Sequence, residues 1–329
     1  MRQVFLCLAL RLLVSSLIPM AIEYRALGKT GLRVSALGFG GSEIGYQAVA
    51  QKAVDKILNT ALDAGINVID TAECYADGEA LIGKAIAGRR SEVVLMTKCG
   101  HAPLGSASSR ALGYAQPDWE PAMLARSIER SLKNLRTDHV DVIQLHSPPL
   151  AILRDGRAIE VVHKARERGQ ARFAGCSADS DEAVYAVESA AFDAVQISVN
   201  IADQEAIELV LPKAAARGMG VIVKRPIANA AWRHGKQPPG DWYTRPYWDR
   251  LQALDYDFLR GGVEDSVATA LRFTLGTPGV TTAIVGTTRP ERIAQNIAHA
   301  NAGALPAAEY EAIRARWRSV ATRDWTGQR

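Results

Sequence analysis

The chain has 329 residues, 48% hydrophobic and 22% charged, and its 39 Lys and Arg against 35 Asp and Glu leave a formal net charge of +4. This composition carries a substantial core and excludes a disordered chain, while the interleaving of opposite charges argues against a nucleic-acid surface. The length suits one large domain.

The N-terminal RQVFLCLALRLLVSSLIPMA is apolar, but Arg11 interrupts it, no A-x-A cleavage site follows, and it is too short to span a bilayer convincingly. Residues 1–20 are expected to be a weakly ordered tail, an extended or misassigned start, with export as the alternative to a cytoplasmic location. The four cysteines, Cys7, Cys74, Cys99 and Cys176, lack CxxC or metal-type spacing. They fit a reducing compartment, small buried roles and no metal site.

From Tyr24, YRAL, GKTG and LRVS read as a hairpin, two short extended runs around a Gly-flanked turn. Short apolar runs follow at 35–40, 67–71, 93–98, 140–146, 171–177, 194–199, 221–225 and 282–286. Helical periods separate them: AVDKILNTALDAG, EALIGKAIAG, PAMLARSIERSLKNL with Pro121 in its first turn, AIEVVHKARERG, and DEAVYAVES after the capping pair Asp179 and Ser180. QEAIELVLPKAAARG carries a kink at Pro212, and EDSVATALRFTLG and RPERIAQNIAHA bracket the last strand.

The strand runs are apolar without strict alternation, as in parallel strands covered on both faces. Eight strand-then-helix units predict a single-domain (β/α)8 TIM barrel over 21–329, preceded by the hairpin and closed by a C-terminal strap. The rival, a doubly wound sheet, would place a dinucleotide fingerprint after its first strand, and GFGGSEIG opens no helix in that register.

A barrel makes the strand ends an address for chemistry. Asp70 ends the second strand, Tyr75 follows in its loop, Lys98 ends the third and His146 the fourth. A tyrosine titrates near 10, so it needs a neighbouring cation to act as an acid at neutral pH. Lys98 can be that cation, Asp70 can hold it charged, and His146 can hydrogen-bond a substrate oxygen. Such a site protonates a developing alkoxide, yet it contains no reductant of its own.

These residues, in DTAECY, MTKCG and QLHSP, together with YRALGKTGLRVSALGFGG and IVGTTRPERIAQN, resemble the aldo-keto reductase family from about Tyr24 to about Asn301. The resemblance implies NADP(H) binding and hydride transfer to an aldehyde or ketone, with Tyr75 as proton donor, Lys98 and Asp70 tuning it, and His146 orienting the carbonyl. It implies that Ser177 and Gln196 hold the nicotinamide amide, although the family's following asparagine is Ala178 here. Lys224 and Arg225 stand where many members carry an aromatic-Ser pair, and Gly41 belongs to the glycine-rich turn of the first barrel strand. Thr287, Arg292 and Asn296 match the adenosine 2′-phosphate and adenine site. Gly286 replaces a frequent lysine there and Gln295 a frequent glutamate, so use of NAD(H) as well as NADP(H) stays open.

The loops Gly100 to Trp119 and Ile227 to Gly262 are expected to set specificity. The second gathers Trp232, Trp242, Tyr243, Tyr247 and Trp248, while His101 and Trp119 are candidate pocket residues. The expectation is a monomeric or weakly oligomeric carbonyl reductase with a small-molecule carbonyl substrate, no nucleic acid and no membrane. The alternatives are a sugar or alcohol dehydrogenase using the same residues in reverse, and a cofactor-binding regulatory subunit resembling potassium-channel β subunits.

Overall fold

The computed structural model describes residues 22–101 and 117–328. The expectations for the tail at 1–20 and for most of the loop between Gly100 and Trp119 therefore lie outside the described residues. Among the described residues there are ten strands: β1 (Tyr24–Ala26), β2 (Arg33–Ser35), β3 (Leu37–Gly40), β4 (Val68–Asp70), β5 (Val94–Cys99), β6 (Val140–His146), β7 (Ala171–Ser177), β8 (Ala194–Ser198), β9 (Gly220–Lys224) and β10 (Thr282–Val285). β1 and β2 pair antiparallel as the expected hairpin, and the other eight close into a parallel barrel in the order β10-β3-β4-β5-β6-β7-β8-β9. The fold is the (β/α)8 barrel that the strand count predicts.

Successive residues of a strand point to opposite faces, so each strand contributes one set of side chains to the helices outside and another to the barrel interior. Val68, Val94, Met96, Val142, Ala194, Ile222 and Ile284 pack together as the apolar floor, joined by Leu27, Leu32 and Val34 of the hairpin. The hairpin thus plugs the N-terminal end. Its turn presses on the start of β9 so closely that a Cβ on Gly28, whose φ is +54°, would lie 2.3 Å from the Gly220 amide nitrogen. Only glycine meets both demands there.

Two residues beyond that floor, on the same faces, stand Asp70, Lys98, Gln144, Gln196 and Lys224. The strand period therefore sets a polar layer directly on an apolar one, at the C-terminal end. That placement follows from the pleat alone.

The helix Pro121–Leu135 begins with its proline at the first positions, where the missing N–H costs nothing. It buries Leu124, Ile128 and Leu135 against the barrel. The predicted kink appears as a break at Val210 between the helices Glu205–Leu209 and Leu211–Arg217. One expectation needs correction: the helix Ser180–Glu188 has no side-chain cap. Asp179 instead accepts the Ser198 N–H at 2.7 Å and pairs with Lys224 at 2.8 Å, while Ser180 donates to Glu205 at 2.7 Å. A buried lysine without a counter-charge costs more than an unfilled cap, so the ion pair takes the carboxylate.

Between β9 and β10 the aromatic-rich insertion divides. Trp232, Tyr247 and Tyr256 are buried with Phe273 and with Trp317 of the C-terminal helix Ala307–Val320, whereas Trp242 stays exposed. After that helix the chain returns to the barrel mouth. Arg250 donates to the Thr326 carbonyl at 2.6 Å, Arg225 to that of Gln328 at 2.7 Å, and the Gly327 N–H bonds Glu205 at 2.7 Å. Among the described residues no helix is long and apolar enough to cross a membrane.

Candidate active site

The four strand-end residues expected to act together are brought together. Asp70 and Lys98, on neighbouring strands, are both buried, and Lys98 Nζ donates to Asp70 Oδ2 and, at 2.9 Å, to the Thr71 carbonyl. The other carboxylate oxygen, Oδ1, accepts Gln144 Nε2 and Gln196 Nε2, each at 2.9 Å. Both oxygens of this buried carboxylate therefore meet N–H donors. Gln144 escapes the sequence reading, although its position two residues before His146 marks it as inward-facing. Its Oε1 is buried with no hydrogen-bond partner.

The Tyr75 ring lies with its centroid 5.2 Å from Lys98 Nζ and 5.7 Å from the His146 ring centroid. The loop carrying it is anchored from outside by Glu73, whose buried carboxylate takes hydrogen bonds from Ser127 and Arg130 of the helix Pro121–Leu135. From inside it rests on the short helix Ser42–Tyr46, where a Cβ on Gly45 would lie 1.8 Å from the Tyr75 carbonyl oxygen. Glu73 therefore positions the phenol without touching it. No spacing in the sequence links it to Arg130.

The electrostatics differ from the simplest expectation. Burial holds the Tyr75 phenol well above its ordinary 10, reinforced by the neighbouring Cys74 and Asp70. With Lys98 bound to Asp70, the resting site keeps the phenol protonated. Burial likewise holds His146 well below 6.5, with His101 and the cations Lys98, Lys224 and Arg225 adding to the effect. A neutral imidazole has one N–H, and here Cys74 Sγ lies 3.4 Å from His146 Nδ1. The Cys74 thiol, raised by burial to about 12, can donate to that nitrogen, and in that tautomer the proton of His146 sits on Nε2.

The expected cofactor residues form two groups. At the mouth, Ser177 Oγ donates to Gln196 Oε1 at 3.1 Å, with Ala178 buried beside them. Lys224 is tied to Asp179, and Arg225 lies over the Tyr243 ring, 5.0 Å from its centroid. At the rim, Gly41 follows β3, and a Cβ there would press on the end of Ile82 at 2.8 Å and lie 3.1 Å from the Asp70 carbonyl oxygen. Gly286 faces Glu43, whose carboxylate would lie 1.8 Å from an added Cβ, so that acid fills the space a longer residue would use. Burial raises Glu43 above its ordinary value, and the sequence reading missed it.

On the helix Pro290–Asn301, Asn296 is buried and Gln295 Oε1 is buried with no hydrogen-bond partner. Thr287 Oγ1 accepts the Arg289 N–H at 3.1 Å. Arg292 is not a waiting cation: its guanidinium pairs with Glu264, which also lies 3.5 Å from His299. A phosphate at Arg292 must share or displace that carboxylate.

Comparison with known proteins bears on this arrangement. Residues 36–318 match the Aldo/keto reductase family, and the chain belongs to it. It is 27% identical over 293 residues to an L-galactose dehydrogenase of Arabidopsis thaliana, covering 84% of this chain and 88% of that protein. It is 26% identical over 308 residues to a probable voltage-gated potassium channel subunit beta of Oryza sativa subsp. japonica, covering 84% and 90%. Among solved structures it resembles the holo form of an aldo-keto reductase, AKR11C1, from Bacillus halodurans, with a TM-score of 0.79 at 25% identity over 92% of this chain and 99% of that one. The chain is an oxidoreductase of this family.

Proposed function

We propose that the protein reduces an aldehyde or ketone to an alcohol with NADP(H), Tyr75 giving the proton. The observation that carries this is a phenol kept protonated by burial, beside the charged end of Lys98 and the ring of His146. An alkoxide is a far stronger base than a phenolate, so a raised phenol still protonates it. His146 Nε2–H and Tyr75 Oη supply the two hydrogen bonds that orient the carbonyl oxygen.

The residues present fit the cofactor. Ser177 and Gln196 suit an amide at the mouth, and Gln295 Oε1 is an unused buried acceptor toward the adenine side. Arg292 would meet the 2′-phosphate in competition with Glu264. When bound, the nicotinamide supplies the hydride. Asp70 holds Lys98 in place, and Lys98 stabilises the tyrosinate left after proton transfer.

The name of the Arabidopsis relative favours one second reading, oxidation of a sugar or alcohol through the same residues. Tyr75 would then have to work as a base, which its burial opposes. The deciding experiment follows nicotinamide absorbance across panels of aldehydes, ketones, alcohols and sugars, with both cofactors and in both directions. Aldehyde-dependent NADPH oxidation is expected. Failure to bind either nicotinamide overturns the proposal, and turnover confined to alcohols or sugars establishes the second reading.

A further inference from the structure

The cysteine spacing gives no sign of a metal, yet folding brings three donors from separate segments together. Cys74 comes from the loop after β4, His101 from just beyond β5, and His146 from the end of β6. One ligand atom from each lies within 4.8 Å of the other two. Cys74 Sγ is 3.4 Å from His146 Nδ1, and the His101 and His146 rings are 4.6 Å apart at 42°.

Zinc holds sulfur at about 2.3 Å and nitrogen at about 2.0–2.1 Å in tetrahedral geometry, which places ligand atoms roughly 3.3–3.6 Å from one another. The Cys74–His146 edge already has that length. His101, in contact with Trp119 and next to a glycine, has to close by no more than roughly 1.5 Å to complete the triangle. One sulfur and two imidazole nitrogens form a borderline-soft set that suits zinc and not magnesium or calcium.

Charge does not forbid the ion. The buried lysines nearest His146 are each neutralised, Lys98 by Asp70 and Lys224 by Asp179. Binding releases the Cys74 thiol proton to solvent, and the resulting thiolate offsets one of the two positive charges.

We propose that Cys74, His101 and His146 form a zinc site with an open fourth position, and that its occupancy reversibly shuts the carbonyl site. Metal on His146 Nε2 removes the proton meant for the substrate oxygen. Metal on Nδ1, the atom nearest Cys74, turns the ring as His101 is drawn in, and the Nε2–H with it. Either way the carbonyl and the metal exclude each other. The inhibition rests on the carbonyl-reductase reading, whereas the binding does not.

The test begins with metal-free protein and cobalt as a spectroscopic stand-in. Cobalt(II) should produce a thiolate charge-transfer band and intense tetrahedral visible bands, both lost when zinc is added. Cys74→Ser should lose the charge-transfer band while Cys176→Ser keeps it, and His101→Asn should weaken zinc binding at least tenfold. In aldehyde reduction, zinc should raise the apparent KM for the aldehyde at least fivefold, and EDTA should reverse this. A charge-transfer band that survives Cys74→Ser, or zinc binding unchanged in His101→Asn, overturns the site. Should Cys74→Ser not fold, the His101→Asn affinity decides. Cobalt binding with the predicted spectrum in a protein that turns over no carbonyl sinks the functional reading and leaves the metal site standing.

Discussion

Gln144 and Gln196 reach from β6 and β8 to one atom, each donating its Nε2 to Asp70 Oδ1 at 2.9 Å. With Lys98 on the second oxygen, the carboxylate ties three other strands to β4 at the level where the chemistry is placed. Asp70→Asn keeps the shape but turns an NH2 group toward either the glutamines or the lysine. Leaving Lys98 as an unpaired buried charge should cost about 3–5 kcal/mol of stability, read from urea unfolding at pH 7. Turnover should fall with it.

Tyr75→Phe removes one oxygen from the mouth and leaves Ser177, Gln196 and the rim in place. NADPH fluorescence titration should return a near-native Kd, while kcat for aldehyde reduction drops about 10²–10⁴-fold, the usual scale of acid catalysis. Native-like turnover in this variant would refute the proton-donor assignment.

Glu79, on the helix Gly78–Ala85, accepts Thr97 Oγ1 of β5 at 2.6 Å, and burial raises it to about 7. Its folded value lies above the unfolded one, so its stabilising contribution is complete below about pH 4.5 and is lost as pH rises through about 7. Glu79→Gln keeps an acceptor for Thr97 without the titration. The stability of the variant relative to the wild type in urea should rise by about 2–3 kcal/mol between pH 5 and pH 8.5.

Arg292 and Glu264 make cofactor choice a competition between a carboxylate and a phosphate for one guanidinium. Glu264→Gln should tighten NADPH several-fold by freeing the arginine. Arg292→Ala should weaken NADPH at least about tenfold, as expected for loss of a charge-assisted pair. NADH should change little in either variant. Parallel Kd measurements check both, and equal effects on the two cofactors would remove Arg292 from phosphate recognition.

Much of the scaffold was legible because its determinants are local. An apolar run that ends in Asp70, Lys98 or His146 announces a strand end, and the period of two tells which neighbours share its face. Pro212 announced the break at Val210 because a missing N–H acts within one turn. Asp179 was misjudged for the complementary reason. Its neighbours in sequence suggest a helix cap, and the group that claims it, Lys224, lies 45 residues on and meets it only when the barrel closes.

The sequence by itself determined the eight units and the places of Asp70, Tyr75, Lys98 and His146 at or just beyond their strand ends, since each is written in spacing along one segment. Only the tertiary structure decided their partners: two glutamines for Asp70, Glu264 for Arg292, Glu43 beside Gly286, and Cys74 with His101 for His146. Pairing across a closed barrel depends on strand order and register, which no single segment contains, and burial then selects which of the meeting charges are paired and which stay neutral.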